Sequence, residues 1–86
     1  MDEIINKVIE ANRNTVLSLF NHRCGLNMAH PAATIHEIEP RSIRPTDWWE
    51  LDNMIPLCAK CHQKVHNEGT KKWRGVLRKN RVFVEP

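Results

Sequence analysis

Residues 35–42 read Ile35-His36-Glu37-Ile38-Glu39-Pro40-Arg41-Ser42, residues 53–62 read Asn53-Met54-Ile55-Pro56-Leu57-Cys58-Ala59-Lys60-Cys61-His62, and a further histidine follows at His66. From Ala33 to Glu39, Thr34, His36 and Ile38 alternate with their neighbours at the period of two that a strand requires, and Pro40 ends the run. Met54-Ile55-Pro56-Leu57 forms a second extended stretch. A helix is expected from about Cys61 to Glu68, stopped at Gly69. On that helix His62 and His66 stand at i and i+4, so both imidazoles leave one face with about 6 Å between them, a gap that one metal ion can bridge. A path of strand, loop, strand and helix would return His36 and Glu37 to the same face. A lone histidine is ordinarily a surface or core residue, but His36, Glu37, His62 and His66 fall within 31 positions of one another.

Around this segment the chain leaves room for one small domain. It has 86 residues, 41% of them hydrophobic, with five His, three Cys and five aromatics. A chain of that size buries about 60–65% of its unfolded surface and reaches a stability of about 4–13 kcal/mol, so a bound metal is a plausible staple. No run approaches the roughly 18 apolar residues of a membrane span, and Met1-Asp2-Glu3 has neither the basic flank nor the apolar stretch of a signal peptide. The expectation is a soluble, cytoplasmic protein with no membrane partner.

Thirteen Lys+Arg stand against ten Asp+Glu, a net charge of +3 and a pI near 9.0. This balance suits a polyanionic partner without requiring one. The distribution is uneven: residues 71–81 hold Lys71, Lys72, Arg74, Arg78, Lys79 and Arg81 with no acid, whereas Asp2, Glu3 and Glu10 open the chain. Such a run is either a solvated helix face or a phosphate-binding surface. Three cysteines cannot all pair within one chain, and Cys58-Ala-Lys-Cys61 followed by His62 favours metal over disulfide in a reducing compartment.

Ile5, Val8, Ile9, Val16, Leu19 and Phe20 recur near helical spacing over residues 3–20, with Asp2 as the expected N-cap of a core-packing helix. Asp47-Trp48-Trp49-Glu50 resembles a capping box and implies one helical turn in the loop between Arg41 and Asp52. Thr70 should cap a last helix bearing Trp73, Val76 and Leu77 on one face, and 81–84 should be extended or an edge strand. Trp73 is expected in the core. Trp48 and Trp49 cannot both point inward from a single turn, which leaves one of them near the surface.

Residues 35–42, 53–62 and His66 together resemble the HNH endonuclease superfamily, also called ββα-metal or His-Me finger nucleases. The resemblance covers residues 24–66, about half the chain, and its spacing is specific: an Asn nine residues before a His that is followed by x-x-x-His, all after His-x-Ile-x-Pro. It implies an α+β domain over residues 1–86, a small ββα-metal core at about 24–68 flanked by an N-terminal and a C-terminal helix. By position, His36, His62 and His66 take the roles of ligands to a catalytic divalent ion (Mg, Mn, Ni or Zn). Glu37, three residues before Pro40, takes the place of the general base, where the family usually has His. The reverse assignment makes His36 the base and Glu37 a ligand. Asn53 matches the family's middle Asn, whose amide fixes the loop that orients the base.

The function implied is hydrolysis of DNA phosphodiester bonds, by an endonuclease or nickase; the expected DNA contacts are Arg41, by its place after the strand, and Lys71, Lys72, Arg78 and Lys79, by the basic run. The family commonly carries a structural zinc held by two Cys-x-x-Cys knuckles. Cys58 and Cys61 match the second, but the first has Cys24 alone because Asn21 stands in its partner's place. His22 or His30 would complete a Cys3His set; otherwise the three thiols pack as small apolar groups. Small free-standing members occur in phage and mobile elements, which would place this one in a host-cell cytoplasm, in a larger assembly or alone. The alternative is a zinc-stabilised nucleic-acid-binding accessory module on the same scaffold, without cleavage. A purely structural interaction module leaves the His36, Asn53, His62, His66 constellation without a reason.

Overall fold

A computed structural model describes residues 2–84. Helix α1 (Asp2–Leu19) leads into a turn-rich loop. Strand β1 (Thr34–Glu37) follows, then a second loop closed by a 3₁₀ turn at Leu51–Asn53, strand β2 (Met54–Leu57), helix α2 (Ala59–Glu68) and helix α3 (Thr70–Phe83). The architecture is α+β: three helices and one antiparallel two-stranded sheet, with β1, β2 and α2 forming the ββα unit.

The two strands pair Thr34 with Leu57, Ile35 with Pro56, His36 with Ile55 and Glu37 with Met54. Pro56 has no N–H to donate, yet its carbonyl accepts the Gly25 N–H at 2.7 Å, so the loop after α1 continues the pairing beyond β2. Gly25 is required there, because a Cβ would lie 2.5 Å from Ile55 Cγ1 and 3.1 Å from the Pro56 oxygen. All four residues of β2 are buried, between α1 on one side and the rest of the fold on the other. The core draws Ile9, Val16 and Phe20 from α1 and its end, Ile38 from beside β1, Met54, Ile55 and Leu57 from β2, Val65 from α2 and Leu77 from α3.

Several expectations are corrected. Val8 is exposed, because the inward stripe of α1 runs through Ile5, Ile9, Asn12 and Val16 instead, with Asn12 Nδ2 donating to the Trp49 carbonyl at 2.8 Å. The capping role expected of Asp2 concerns a side chain outside the described ones. Asp47 does not cap a helix: its carboxylate is held bidentately by Arg44 at 3.2 and 3.0 Å, and the one helical turn of the loop falls later, at Leu51–Asn53. Trp48 and Trp49 both press on the core, with their rings edge to face at 5.6 Å. Gly69 (φ 101°), not Thr70, occupies the cap position between α2 and α3, and nothing within 4 Å would meet its Cβ. Its conformation, not its size, is what the junction needs. Residues 81–83 continue α3 as helix and form no strand, since Arg81 is fully buried and its guanidinium donates to the Leu51 carbonyl at 3.2 and 3.3 Å. Val76 is exposed, one turn-phase away from the buried line of Trp73, Leu77 and Arg81.

Candidate active site

His36 lies on the face of β1 that also buries Ile38, and only 6% of it is exposed. That alternation, already visible in the sequence, turns its ring toward α2. There the i, i+4 spacing presents His62 and His66 with ring centroids 4.6 Å apart and Nε2 atoms 2.9 Å apart. The His36 ring meets them edge-on at 5.6 and 5.8 Å. One nitrogen from each of the three lies within 4.8 Å of the other two. A tetrahedral ion at 2.0–2.1 Å from each nitrogen would set them about 3.3 Å apart, so the trio is close to a ligand set as it stands. His36 Nε2 is buried and has no hydrogen-bond partner, which is an uncommon state for a polar atom and one that a bound cation would relieve. Burial, reinforced by the neighbouring His62 and His66, lowers the His36 pKa to about 4, and burial lowers that of His62. Both rings are thereby kept in the neutral form that ligates.

Glu37, next along β1, edges a cavity of about 250 Å³ that His36, Pro40, His62, His66 and Thr70 also line. Its carboxylate is held bidentately by Arg41, Nε to Oε1 at 3.3 Å and Nη2 to Oε2 at 3.2 Å. Arg41 in turn lies over the Trp48 ring with Cζ 3.6 Å from the centroid. The indole therefore fixes the guanidinium, and the guanidinium fixes Glu37. Asn53 is fully buried and satisfied on both ends of its amide: Oδ1 accepts the Glu39 N–H at 2.9 Å, and Nδ2 donates to the carbonyls of Glu39 at 2.9 Å and Trp48 at 3.0 Å. It thus clamps the segment that follows His36 and Glu37.

A second cluster lies at the start of α2, on another face. Cys24, Cys58 and Cys61 bring their sulfurs within 4.8 Å of one another. Cys58 caps α2, its Sγ accepting the Cys61 N–H at 3.3 Å, and Cys24 Sγ accepts the Leu26 N–H at 3.4 Å. Backbone N–H groups aimed at sulfur stabilise thiolate, and the Cys61 N–H is the main reason the Cys58 thiol falls to about 6. Burial pushes Cys61 up to about 12. Of the two histidines expected as a fourth ligand, His30 has Nδ1 3.7 Å from Cys58 Sγ, carried there by the Cys24 N–H to His30 carbonyl bond of 2.9 Å.

The residues of the two clusters, their strand–strand–helix frame and the asparagine between them all lie within residues 22–68, which the HNH endonuclease family model matches. The chain belongs to the HNH endonuclease family. No curated protein and no solved structure matched it. As a member of a nuclease-type family whose enzymes act on DNA with divalent metals, it carries two groups, one of three His and one of three Cys, that could hold an ion. Among the described residues no helix is long and apolar enough to cross a membrane.

The cations of 71–81 do not form one surface. At 100° per residue, Lys71, Lys72 and Lys79 fall within an arc of about 100°, and all three are exposed, Lys72 pairing with Glu68 at 3.0 Å. Arg74 and Arg78 are half-buried and Arg81 is buried. Arg78, expected among the DNA cations, donates to the Asp52 carbonyl at 2.8 Å and pairs with Glu39. Neither that pairing, nor the Thr70 wall of the cavity, nor the Arg41 stack on Trp48 can be read from the sequence. Each joins segments with no shared period or spacing, although the Asp52-Asn53 motif could have prompted a search for what holds it.

Proposed function

We propose that the protein is a divalent-metal-dependent DNA endonuclease or nickase, with α1 and α3 packed on the HNH segment to make one nuclease-like domain of the whole chain. The observation that carries this reading is the buried, partnerless His36 Nε2 facing His62 and His66 beside the Glu37 carboxylate. His36, His62 and His66 hold the ion, and three imidazoles favour Ni²⁺ or Zn²⁺, and Mn²⁺ after them, over Mg²⁺. When bound, the cation supplies Lewis-acid neutralisation of the charge that builds on a phosphodiester during attack. The direction of His36, toward α2, supports its role as ligand and leaves Glu37 as the general base that takes the proton from the attacking water. Arg41 aligns Glu37 and offers its remaining N–H groups to a DNA phosphate. Asn53 holds the loop that carries both.

Cys24, Cys58, Cys61 and His30 form the second, structural site, a Cys3His zinc set. Lys71, Lys72 and Lys79 supply the outward cations for the DNA backbone. The alternative, a zinc-stabilised binding module that does not cut, draws on one observation, the bidentate engagement of Glu37 by Arg41. Supercoiled plasmid incubated with the protein and Mg²⁺, Mn²⁺, Ni²⁺ or Zn²⁺ separates the two. Metal-dependent conversion to nicked or linear DNA, abolished by chelator, is expected; retention of supercoiled plasmid with every ion, alongside DNA binding, selects the module.

A further inference from the structure

We propose that Arg78, which lies outside the matched residues 22–68, is a positioning residue for the HNH site and not a DNA contact. From α3, its Nη1 donates to the Asp52 carbonyl at 2.8 Å and lies 4.0 Å from Asp52 Oδ2, while Nη2 pairs with the Glu39 carboxylate and sits 3.5 Å from Asn53 Oδ1. Those acceptors belong to the two segments that Asn53 ties together. Asn53 bonds the Glu39 N–H and carbonyl through its side chain, and its own carbonyl accepts the Ile38 N–H at 2.9 Å. Ile38 and Glu39 directly follow His36 and Glu37, so a shift of this clamp moves the ligand and the base together. Arg78 closes the clamp from a third element, joining the 3₁₀ turn, the end of β1 and α3.

The chemistry favours arginine specifically. A planar fork reaches a carbonyl and a carboxylate at once, whereas a lysine ammonium on the same helix position can serve one of them at a time. About a third of the Arg78 and Glu39 side chains is exposed, so screening weakens the charge attraction and leaves the directed bonds as the main contribution. Engaging a phosphate through Arg78 would require those bonds to break, since the same guanidinium cannot point outward while it spans Asp52 and Glu39.

The inference rests on the metal-site reading for its consequence, and the charge-conserving variant Arg78→Lys tests it in the full chain. Supporting residues of this kind alter metal affinity or activity by about 10–100-fold. Arg78→Lys is therefore expected to lower the single-turnover nicking rate at saturating DNA by about 10-fold or more, while DNA affinity, its salt slope and the melting transition stay near the parent's. Ni²⁺ titrated into protein that holds a single zinc per chain, with His62→Ala as the blank, should bind about 10-fold more weakly to Arg78→Lys than to the parent. If the parent does not nick at all, the nuclease reading fails, and this Ni²⁺ affinity alone decides the role of Arg78. A nicking rate and Ni²⁺ affinity equal to the parent's in Arg78→Lys overturn the proposal. So does Arg78→Ala if it lowers the salt slope by about 0.9, the signature of one phosphate no longer neutralised, with the rate at saturation unchanged.

Discussion

Two faces of α2 carry clusters that differ in setting, one through Cys58 and Cys61 and the other through His62 and His66. At its start, Cys24 and Cys58 are buried, and their sulfurs accept backbone N–H bonds. Farther along, His36 is buried but His62 is half-exposed and His66 exposed, and the trio borders an open cavity that also contains a carboxylate. Cys61 and His62 are chain neighbours, so about 100° of helical rotation separates a closed site from an open one. A closed site with every ligand supplied by the protein can only hold the fold together, whereas a site with three ligands and free space beside it can admit a substrate. On the proposed reading, one face of the helix serves stability and the next serves chemistry.

The sharpest way to break that comparison is Cys58→Ser. Structural zinc in small domains contributes on the order of 10–16 kcal/mol, at least as much as the roughly 4–13 kcal/mol available to a chain of this size. The variant should lose its cooperative melting transition, and the parent should retain about one zinc per chain by elemental analysis. A variant that melts within a few degrees of the parent would mean that the thiols are only packing groups.

His62→Ala should do the opposite, removing metal-dependent nicking while the melting temperature stays within a few degrees of the parent's. Glu37→Gln should keep Ni²⁺ binding yet slow single-turnover nicking by about 10²–10⁴-fold, the usual worth of a general base. A Glu37→Gln protein as fast as the parent would transfer that role to His36.

Next to Cys24 lies Gly25, whose Cβ would overlap the fully buried Ile55. Gly25→Ala should destabilise by about 1–3 kcal/mol in denaturant titration, with zinc retained. An unchanged midpoint would show that Ile55 and the Cys24 loop yield more readily than their burial implies.

The smallest effect is expected far from both clusters. Lys71→Ala, Lys72→Ala and Lys79→Ala combined should reduce the slope of log affinity against log salt by up to about 0.9 for each phosphate left without its cation, without changing zinc content or melting. A slope equal to the parent's would move DNA binding to Arg41, stacked on Trp48.

Much of this was legible in the sequence because it is local. The alternation of Thr34, His36 and Ile38, the i, i+4 pair His62 and His66, and the Cys58-Ala-Lys-Cys61 knuckle each follow from strand or helix geometry over a few residues. The family pattern extended that reading to Asn53, whose amide bonds the backbone as the pattern implies. Element ends were less legible. Residues 81–83 alternate like a strand but stay helical because the buried Arg81 has the Leu51 carbonyl to bond.

What the sequence by itself determined, then, is the set of groups available: three imidazoles, a carboxylate, three thiols and an asparagine at spacings that suit two ions. Tertiary structure alone decided their partners. It turned His36 toward α2, brought His30 to 3.7 Å from the Cys58 sulfur, put Arg41 between Glu37 and Trp48, and divided six apparently equivalent cations into exposed lysines and partly or fully buried arginines. Local spacing fixes which side chains share a face. Whether that face meets water or another segment depends on pairings such as Arg78 with Glu39, 39 residues apart in the chain.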